Sequence, residues 1–282
     1  MSGGHRLAGL IRLAHPFPSL LNGAVTAAFA LLAGGTPATA GRLGIAMVSL
    51  QAAIGALNDI VDAPRDAGLK PGKPIPAGLV SPLAARLVVV GGAALGIGLS
   101  LPSGPATAAV AVAVLVVGGL YDLRFKGTPW SWLPFAVGIP LLPVYAWLGA
   151  AGQVPLAFAI LIPAATLAGA ALAIANALAD VERDQAAGVR SVATSLGPRR
   201  AWAVHAAIQA AVVGLAVAGV AWLGEIGPGL IPVAAGLAVV AGGVVVSASG
   251  RAGWRERGWE LEALGIGILG TAWLAAVTLD HA

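Results

Sequence analysis

Nine residues of this chain concentrate hard oxygen donors. Asn58-Asp59-Ile60-Val61-Asp62-Ala63-Pro64-Arg65-Asp66 carries an amide and three carboxylates, in a sequence whose Asp and Glu total only 12. A second stretch, Asn176-Ala177-Leu178-Ala179-Asp180-Val181-Glu182-Arg183-Asp184, repeats the skeleton Asn-x-x-x-Asp-x-x-x-Asp. Steps of four place such side chains on roughly one helix face. Mg²⁺ takes oxygen ligands and is usually held by few carboxylates plus substrate phosphates. Asp59, Asp62 and Asp66, with Asp180 and Asp184, are therefore candidate metal ligands. Asn58 and Asn176, one turn earlier, can offer an amide oxygen or bind a phosphate oxygen through the NH₂. Pro64 removes a donor and disfavours helix at Ala63, which raises the expectation of a bend ahead of Asp66. Glu182 falls off the 180/184 face and stays outside the ligand set. The bland alternative is solvation of two helix ends, with the acids paired to Arg65 and Arg183; one spacing used twice argues against it.

Each acidic run is followed by a basic, glycine-containing loop: Gly68-Leu69-Lys70-Pro71-Gly72-Lys73-Pro74-Ile75-Pro76-Ala77-Gly78, and Gly188-Val189-Arg190-Ser191. Acids beside bases suit a metal-bridged diphosphate, in which Lys or Arg neutralise the oxygens that the metal leaves. A third loop, Tyr121-Asp122-Leu123-Arg124-Phe125-Lys126, has two readings: a ligand role, or an interfacial Tyr beside two topogenic bases.

The elements that position these residues are membrane spans. The chain of 282 residues is 58% hydrophobic and 10% charged, with mean hydropathy +0.89, whereas soluble domains carry about 25% charged residues. Apolar runs predict nine spans, near 18–34, 43–59, 83–101, 105–121, 131–149, 155–177, 201–223, 229–248 and 261–279. Gly and Pro punctuate them, as at Gly34-Gly35-Thr36-Pro37 and Pro102-Ser103-Gly104-Pro105. Of the 16 Lys and Arg, all but Arg42 fall in or beside loops on one side, which the positive-inside rule makes cytoplasmic. The basic balance is thus topology, and nucleic acid is not an expected partner. The N-terminus is expected inside, the C-terminus outside, and both acidic runs on the cytoplasmic face, with Glu225 on the opposite one. Absence of Cys excludes disulfides, thiolate metal sites and a Cys nucleophile. Arg6, Arg12 and Ala38-Thr39-Ala40 imitate a secretory signal, but the alternation of loop charge counts the first apolar stretch as a span. No stretch is hydrophilic enough for a separate soluble domain, so 1–282 reads as one domain, with a weak four-helix offset between two parallel halves.

Asn58-Asp59-x-x-Asp62-x-x-x-Asp66, Lys73-Pro74-Ile75-Pro76-Ala77-Gly78, Tyr121…Lys126 and Asp180-x-x-x-Asp184-x-x-x-Gly188-x-Arg190-Ser191 together resemble the UbiA superfamily of intramembrane prenyltransferases. The resemblance runs from Arg12 to about Gly197. It implies an all-α polytopic membrane protein: nine transmembrane helices in a bundle around a central cavity capped on the cytoplasmic side. It implies Mg²⁺ bound by Asp59, Asp62, Asp66, Asp180 and Asp184, and Lys73, Lys126 and Arg190 near a prenyl diphosphate. Within it, Asp62, Asp66, Asp180, Asp184 and Tyr121 are catalytic candidates, and Asn58, Asn176 and Asn22 join the bases as substrate-binding candidates. Asn22, the one amide of span one, also reads as an interhelical hydrogen bonder. Two departures from the family pattern stand out. Lys70 and Lys73 occupy places where the family often has Arg, and Asp122 follows Tyr121 where Ser or Asn is common.

The chemistry follows. An allylic diphosphate ionises once its leaving group is neutralised, and the cation needs a dry cavity in which aromatic faces can stabilise it. Tyr121, Trp130, Trp132, Phe135, Tyr145 and Trp147 cluster around span five, although interfacial belting equally accounts for Trp130 and Trp132. The expected function is Mg²⁺-dependent transfer of an isoprenoid chain to an aromatic or other lipophilic acceptor in the cell membrane, as in quinone or prenyl-lipid synthesis. A terpene cyclase would use the same metal site without an acceptor. A transporter would need ionisable groups at mid-depth, and the first six spans have none. His15 receives no role, and His205 in span seven reads as an interhelical histidine.

Overall fold

The computed structural model describes residues 3–67, 72–223 and 230–278. Lys70 and Glu225 lie outside the described residues. Twelve α-helices make up these segments, without a strand among the described residues: α1 Gly3–Leu13, α2 Pro16–Leu32, α3 Pro37–Asp66, α4 Pro82–Ser100, α5 Pro105–Leu120, α6 Leu133–Ala151, α7 Phe158–Ala179, α8 Val181–Ala186, α9 Val192–Leu196, α10 Pro198–Leu223, α11 Leu230–Ser247 and α12 Ala252–Thr278. Eight are long and apolar enough to cross a membrane by length and composition. α2, the first expected span, is apolar but has 17 residues, the short end of what spans a bilayer. The protein is a multi-pass membrane protein.

Proline sets where the helices begin. α2, α3, α4 and α5 all carry Pro in their first turn, where its missing N–H costs nothing and its φ is already helical. Thr36 and Ser81 cap α3 and α4, accepting from the Thr39 and Ala84 amides at 3.2 Å. Gly104 holds φ 97° ahead of Pro105, a conformation open to glycine but not to most residues.

Three boundaries differ from the sequence reading. α3 is 30 residues long and runs through Pro64 to Asp66. Pro64 forfeits only its own hydrogen bond, so close to the end that the Ala67 amide still reaches the Ala63 carbonyl at 3.2 Å. α1 forms a separate helix with Leu7, Leu10 and Ile11 exposed. α12 begins at Ala252 rather than near 261, so Arg255, Glu260 and Glu262 are helical.

The chain falls into two compact units. In the first, which runs to Leu123 and includes Leu142–Gln153, α3 packs between α2, α4 and α5 with Leu43, Met47, Leu50 and Ala56 buried. Small residues bring the backbones together: a Cβ on Gly23 would fall 2.9 Å from the Gly44 carbonyl oxygen. One end of this unit is tied by polar side chains. Arg42 donates to the Leu99 carbonyl and, at 2.8 Å, to Ser103 Oγ. Ser103 donates to the Gly149 carbonyl at 2.7 Å, and Tyr145 lies 2.7 Å from Ser100. Tyr145 is thus a fully buried structural residue, its hydroxyl spent on α4, and it leaves the set of candidate cation-facing aromatics.

The second unit holds Arg124–Leu141 and the chain from Val154. α7, α10, α11 and α12 pack together there, with Ile174, Leu178, Val181, Val192 and Ala201 in one core cluster against Trp132 and Trp202. His205 joins α10 to α12, its Nε2 2.6 Å from Glu262 Oε2, and Gln209 donates to the same oxygen at 2.8 Å. His205 is interhelical as expected. Its Nδ1 has no hydrogen-bond partner among the described residues.

Candidate active site

In the first unit α3 supplies Asp59, Asp62 and Asp66, all buried, at 2%, 6% and 6% exposure. Spacings of three and four keep them on one helical stripe, which requires the unbroken helix through Pro64. Three carboxylates on one buried stripe repel one another and call for cations. Lys73 supplies one by pairing with Asp59 Oδ1. Its placement comes from the turn that it opens: the Ala77 amide bonds back to the Lys73 carbonyl at 3.1 Å, and those of Leu79 and Val80 to Pro74 at 2.9 and 3.2 Å. Buried Pro74 and Val80 anchor that turn, Val80 in a core cluster with Leu13, Ala56 and Ala85.

A second cation-capable group at Asp59 was missed by the sequence reading. His15, between α1 and α2, places Nε2 3.0 Å from Asp59 Oδ1. It is the only described non-glycine residue with positive φ, 47°. Strain of this kind persists where the surroundings fix it and clusters at functional sites. The sequence signal available was Arg12-Leu13-Ala14-His15-Pro16 itself; nothing in it names Asp59 as partner.

Asn58 donates one of its two amide hydrogens to Asp122 Oδ1 at 2.7 Å, so its oxygen and one N–H keep the capacity to meet a ligand. That bond fastens the Tyr121–Phe125 π-helical turn to the first acidic run, a helix irregularity frequent at functional sites. Tyr121 is half-buried at the start of this turn, and Asp122 is buried. Asn22 is half-buried on α2.

The second acidic run departs from a straight face. α7 ends at Ala179, Asp180 takes φ −101° and ψ 2°, and α8 starts at Val181. Asp180 is the N-cap of α8, and the Asp184 amide makes the ordinary helical bond to its carbonyl at 2.9 Å, so the break separates this pair from Asn176 on α7. Asp180 is partly exposed and pairs with Arg183, the pairing that a plain helix-end reading expects. Asn176 is half-buried on α7, Asp184 is half-buried, and Arg190 is exposed. The segment carrying Lys126 approaches this region: a Cβ at Gly127 would lie 3.2 Å from Val189 Cγ1, and Ser131 Oγ accepts from the Val192 amide at 3.4 Å. Each acidic run thus has a base-bearing turn packed on it within its own unit, Lys73 on the first and the Lys126 and Arg190 turns near the second. Trp130 is 60% exposed and Trp132 packs on the core cluster, so neither placement speaks for a cation-facing role.

Among the described residues, no three His, Cys, Asp or Glu side chains are grouped closely enough to hold a metal ion. The donor chemistry nevertheless fits Mg²⁺, which needs few carboxylates when phosphate oxygens complete its shell. Asp59 Oδ2 is buried without a hydrogen-bond partner among the described residues, an oxygen with ligand capacity to spare.

A family model described as the UbiA prenyltransferase family matches residues 21–260. The chain belongs to this family. Digeranylgeranylglyceryl phosphate synthase of Halobacterium salinarum is 34% identical over 219 residues, covering 74% of this chain and 76% of that protein. The enzyme of the same name from Methanopyrus kandleri is 34% identical over 145 residues, so the chain spans about half, 52%, of that relative. Among solved structures, a UbiA homolog from Archaeoglobus fulgidus bound to DMAPP and Mg²⁺ superposes with TM-score 0.72 at 19% identity, covering 93% of this chain and 99% of that one. A UbiA homolog from Aeropyrum pernix K1 gives TM-score 0.72 at 22% identity over 94% and 98%. These solved UbiA chains share the fold. The named relatives concern a glyceryl phosphate lipid, and a quinone-type or aromatic acceptor finds no support among them.

Proposed function

We propose that the protein is an intramembrane prenyltransferase that moves an isoprenoid chain from an allylic diphosphate to a hydroxyl of a glyceryl phosphate-type lipid. The observation that carries this reading is the buried carboxylate stripe of α3 with Lys73 turned onto it. Membership of the UbiA family supports the transfer, and the synthases among its relatives support the acceptor class. The family match runs through both units, which supports one catalytic domain over 1–282.

In this reading Asp59, Asp62, Asp66, Asp180 and Asp184 hold Mg²⁺, which supplies Lewis acidity toward the diphosphate. Lys73, Lys126 and Arg190 neutralise the remaining phosphate oxygens. The allylic C–O bond breaks with its electron pair going to the diphosphate. The acceptor oxygen then bonds to the allylic carbon, and its proton passes to a carboxylate of the acidic runs. Asn58, Asn176 and Asn22 contact substrate, and Tyr121 faces the developing cation. The acidic runs face the cytoplasm, following the one-sided Lys and Arg distribution.

The test is the purified protein in nanodiscs with Mg²⁺, allylic diphosphates of several lengths, and prenylated glyceryl phosphate, aromatic or no acceptor, read by mass spectrometry. An ether of the glyceryl phosphate is expected. Prenylation only of the aromatic compound overturns the acceptor assignment, and a hydrocarbon product formed without acceptor identifies a cyclase.

A further inference from the structure

A single guanidinium grips both sides of the helix break at Asp180. Arg255, in the first turn of α12, is 6% exposed. Its Nε donates to the Leu178 carbonyl at 2.7 Å, its Nη1 to the Ser249 carbonyl at 3.1 Å, and its Nη2 to Glu182. Leu178 stands two residues before Asp180 and Glu182 two residues after it.

The break lacks the residues that usually kink a helix. Helices kink at Pro, at Gly or Ser pairs, at π-bulges, or where a side chain or water enters the backbone ladder. The sequence Ala177-Leu178-Ala179-Asp180-Val181-Glu182-Arg183 contains no Pro, Gly or Ser. Alanine and leucine before it are strong helix formers, and Asp180, a residue type favoured at N-caps, makes no side-chain cap bond here. What is present instead is a side chain entering the ladder. The Leu178 carbonyl is one of the four that a helix end leaves without a helical partner; the Asp180 amide turns back onto it, and Arg255 adds a second donor. A buried guanidinium in turn needs acceptors for its fork, and the α7 terminus, Ser249 and Glu182 provide three.

Asp180 itself is held only loosely. Its described partner is Arg183, an exposed residue three positions on, and exposed pairs of this kind fix little. The direction of the Asp180 carboxylate therefore comes from its backbone. That backbone sits in the sparsely populated bridge region, at φ −101° and ψ 2°.

We propose that Arg255 is a positioning residue: it holds the α7–α8 break open and aims Asp180, and Glu182 serves as its counter-anchor. The proposal rests on the reading of Asp180 as a metal ligand. It also gives a role to Glu182, which spacing alone leaves outside the ligand set.

Three variants test it in nanodiscs: Glu182→Gln, Arg255→Lys and Arg255→Met, with Arg257→Met as the control. Arg257 loses the same charge two residues on, but its partner is Glu260 at 2.8 Å and it is exposed. The readout is the Mg²⁺ concentration that half-saturates turnover, together with kcat at saturating Mg²⁺. Residues that orient a metal ligand cost about 10–100-fold in metal affinity or activity when replaced. Half-saturation should therefore rise about 10-fold in Glu182→Gln and further in Arg255→Met. Arg255→Lys should lie between them, because a single ammonium cannot span the three acceptors. The Glu182 side chain is 59% exposed, so its variant folds even where Arg255→Met does not. A lower melting temperature with unchanged Mg²⁺ dependence in Glu182→Gln would overturn the proposal. Asp180→Asn, measured alongside, separates two failures. If Asp180→Asn loses turnover while Glu182→Gln and Arg255→Lys match Arg257→Met, only the positioning role falls. If Asp180→Asn keeps normal turnover and Mg²⁺ dependence, the ligand reading beneath it falls too.

Discussion

His15 and Asp59 are 44 positions apart, and their side chains meet at 3.0 Å, Nε2 to Oδ1. The same carboxylate oxygen receives Lys73, so one acid collects the junction before α2 and the turn after α3. His15→Phe keeps a ring but removes the hydrogen bond, leaving a buried carboxylate short of a partner. That should cost about 1–3 kcal/mol of stability. Thermal unfolding in detergent measures it, and an unchanged midpoint would leave the left-handed backbone of His15 without this explanation.

The two acidic runs should behave as one unit in catalysis. Asp62→Asn and Asp180→Asn keep shape but remove charge, and each should lower turnover by roughly 10²-fold or more, the scale of losing one stabilising contact in a charge-developing transition state. The double variant should cost much less than the product of the singles. Glu256→Gln, an exposed acid at the start of α12, is expected near neutral. Normal turnover in Asp180→Asn beside a dead Asp62→Asn would separate the runs.

Donor binding should require a divalent cation, because buried carboxylates otherwise repel a diphosphate. Calorimetric titration with geranyl diphosphate, with and without EDTA, decides this. Equal affinity in both conditions would remove the proposed role of the acids.

The termini are expected on opposite sides of the membrane, N-terminus in the cytoplasm, as nine spans and the one-sided bases require. Reporter fusions after Ala282 and inside residues 72–76 should read different compartments. Reports from the same side would mean that the number of crossings is even.

Much of this was legible beforehand because membrane helices advertise themselves by apolar length, and Pro16, Pro37, Pro82 and Pro105 mark their starts. The α3 acids were equally plain: rare residues at helical spacing. What escaped depends on partners far along the chain. The break at Asp180 has only the weak local signal of an N-cap residue type, and Arg255, which binds on both sides of it, stands 75 positions away. α12 begins early because Arg255 and Glu262 have buried partners, whereas a hydropathy reading gives such charges to loops. α1 escaped because an 11-residue helix is too short to cross a bilayer. Pro64 misled in the other direction, since one missing donor near a helix end is cheaper than the general rule suggests.

Arg42 and Asp59 turn α3 into a ruler. They lie 17 residues apart (59 − 42) on one continuous helix, about 25 Å at roughly 1.5 Å per residue, against a hydrocarbon layer about 30 Å thick. Both heights are pinned, Arg42 to Leu99 and Ser103 and Asp59 to Lys73 and His15, so α3 cannot slide along its own axis without breaking polar contacts at both.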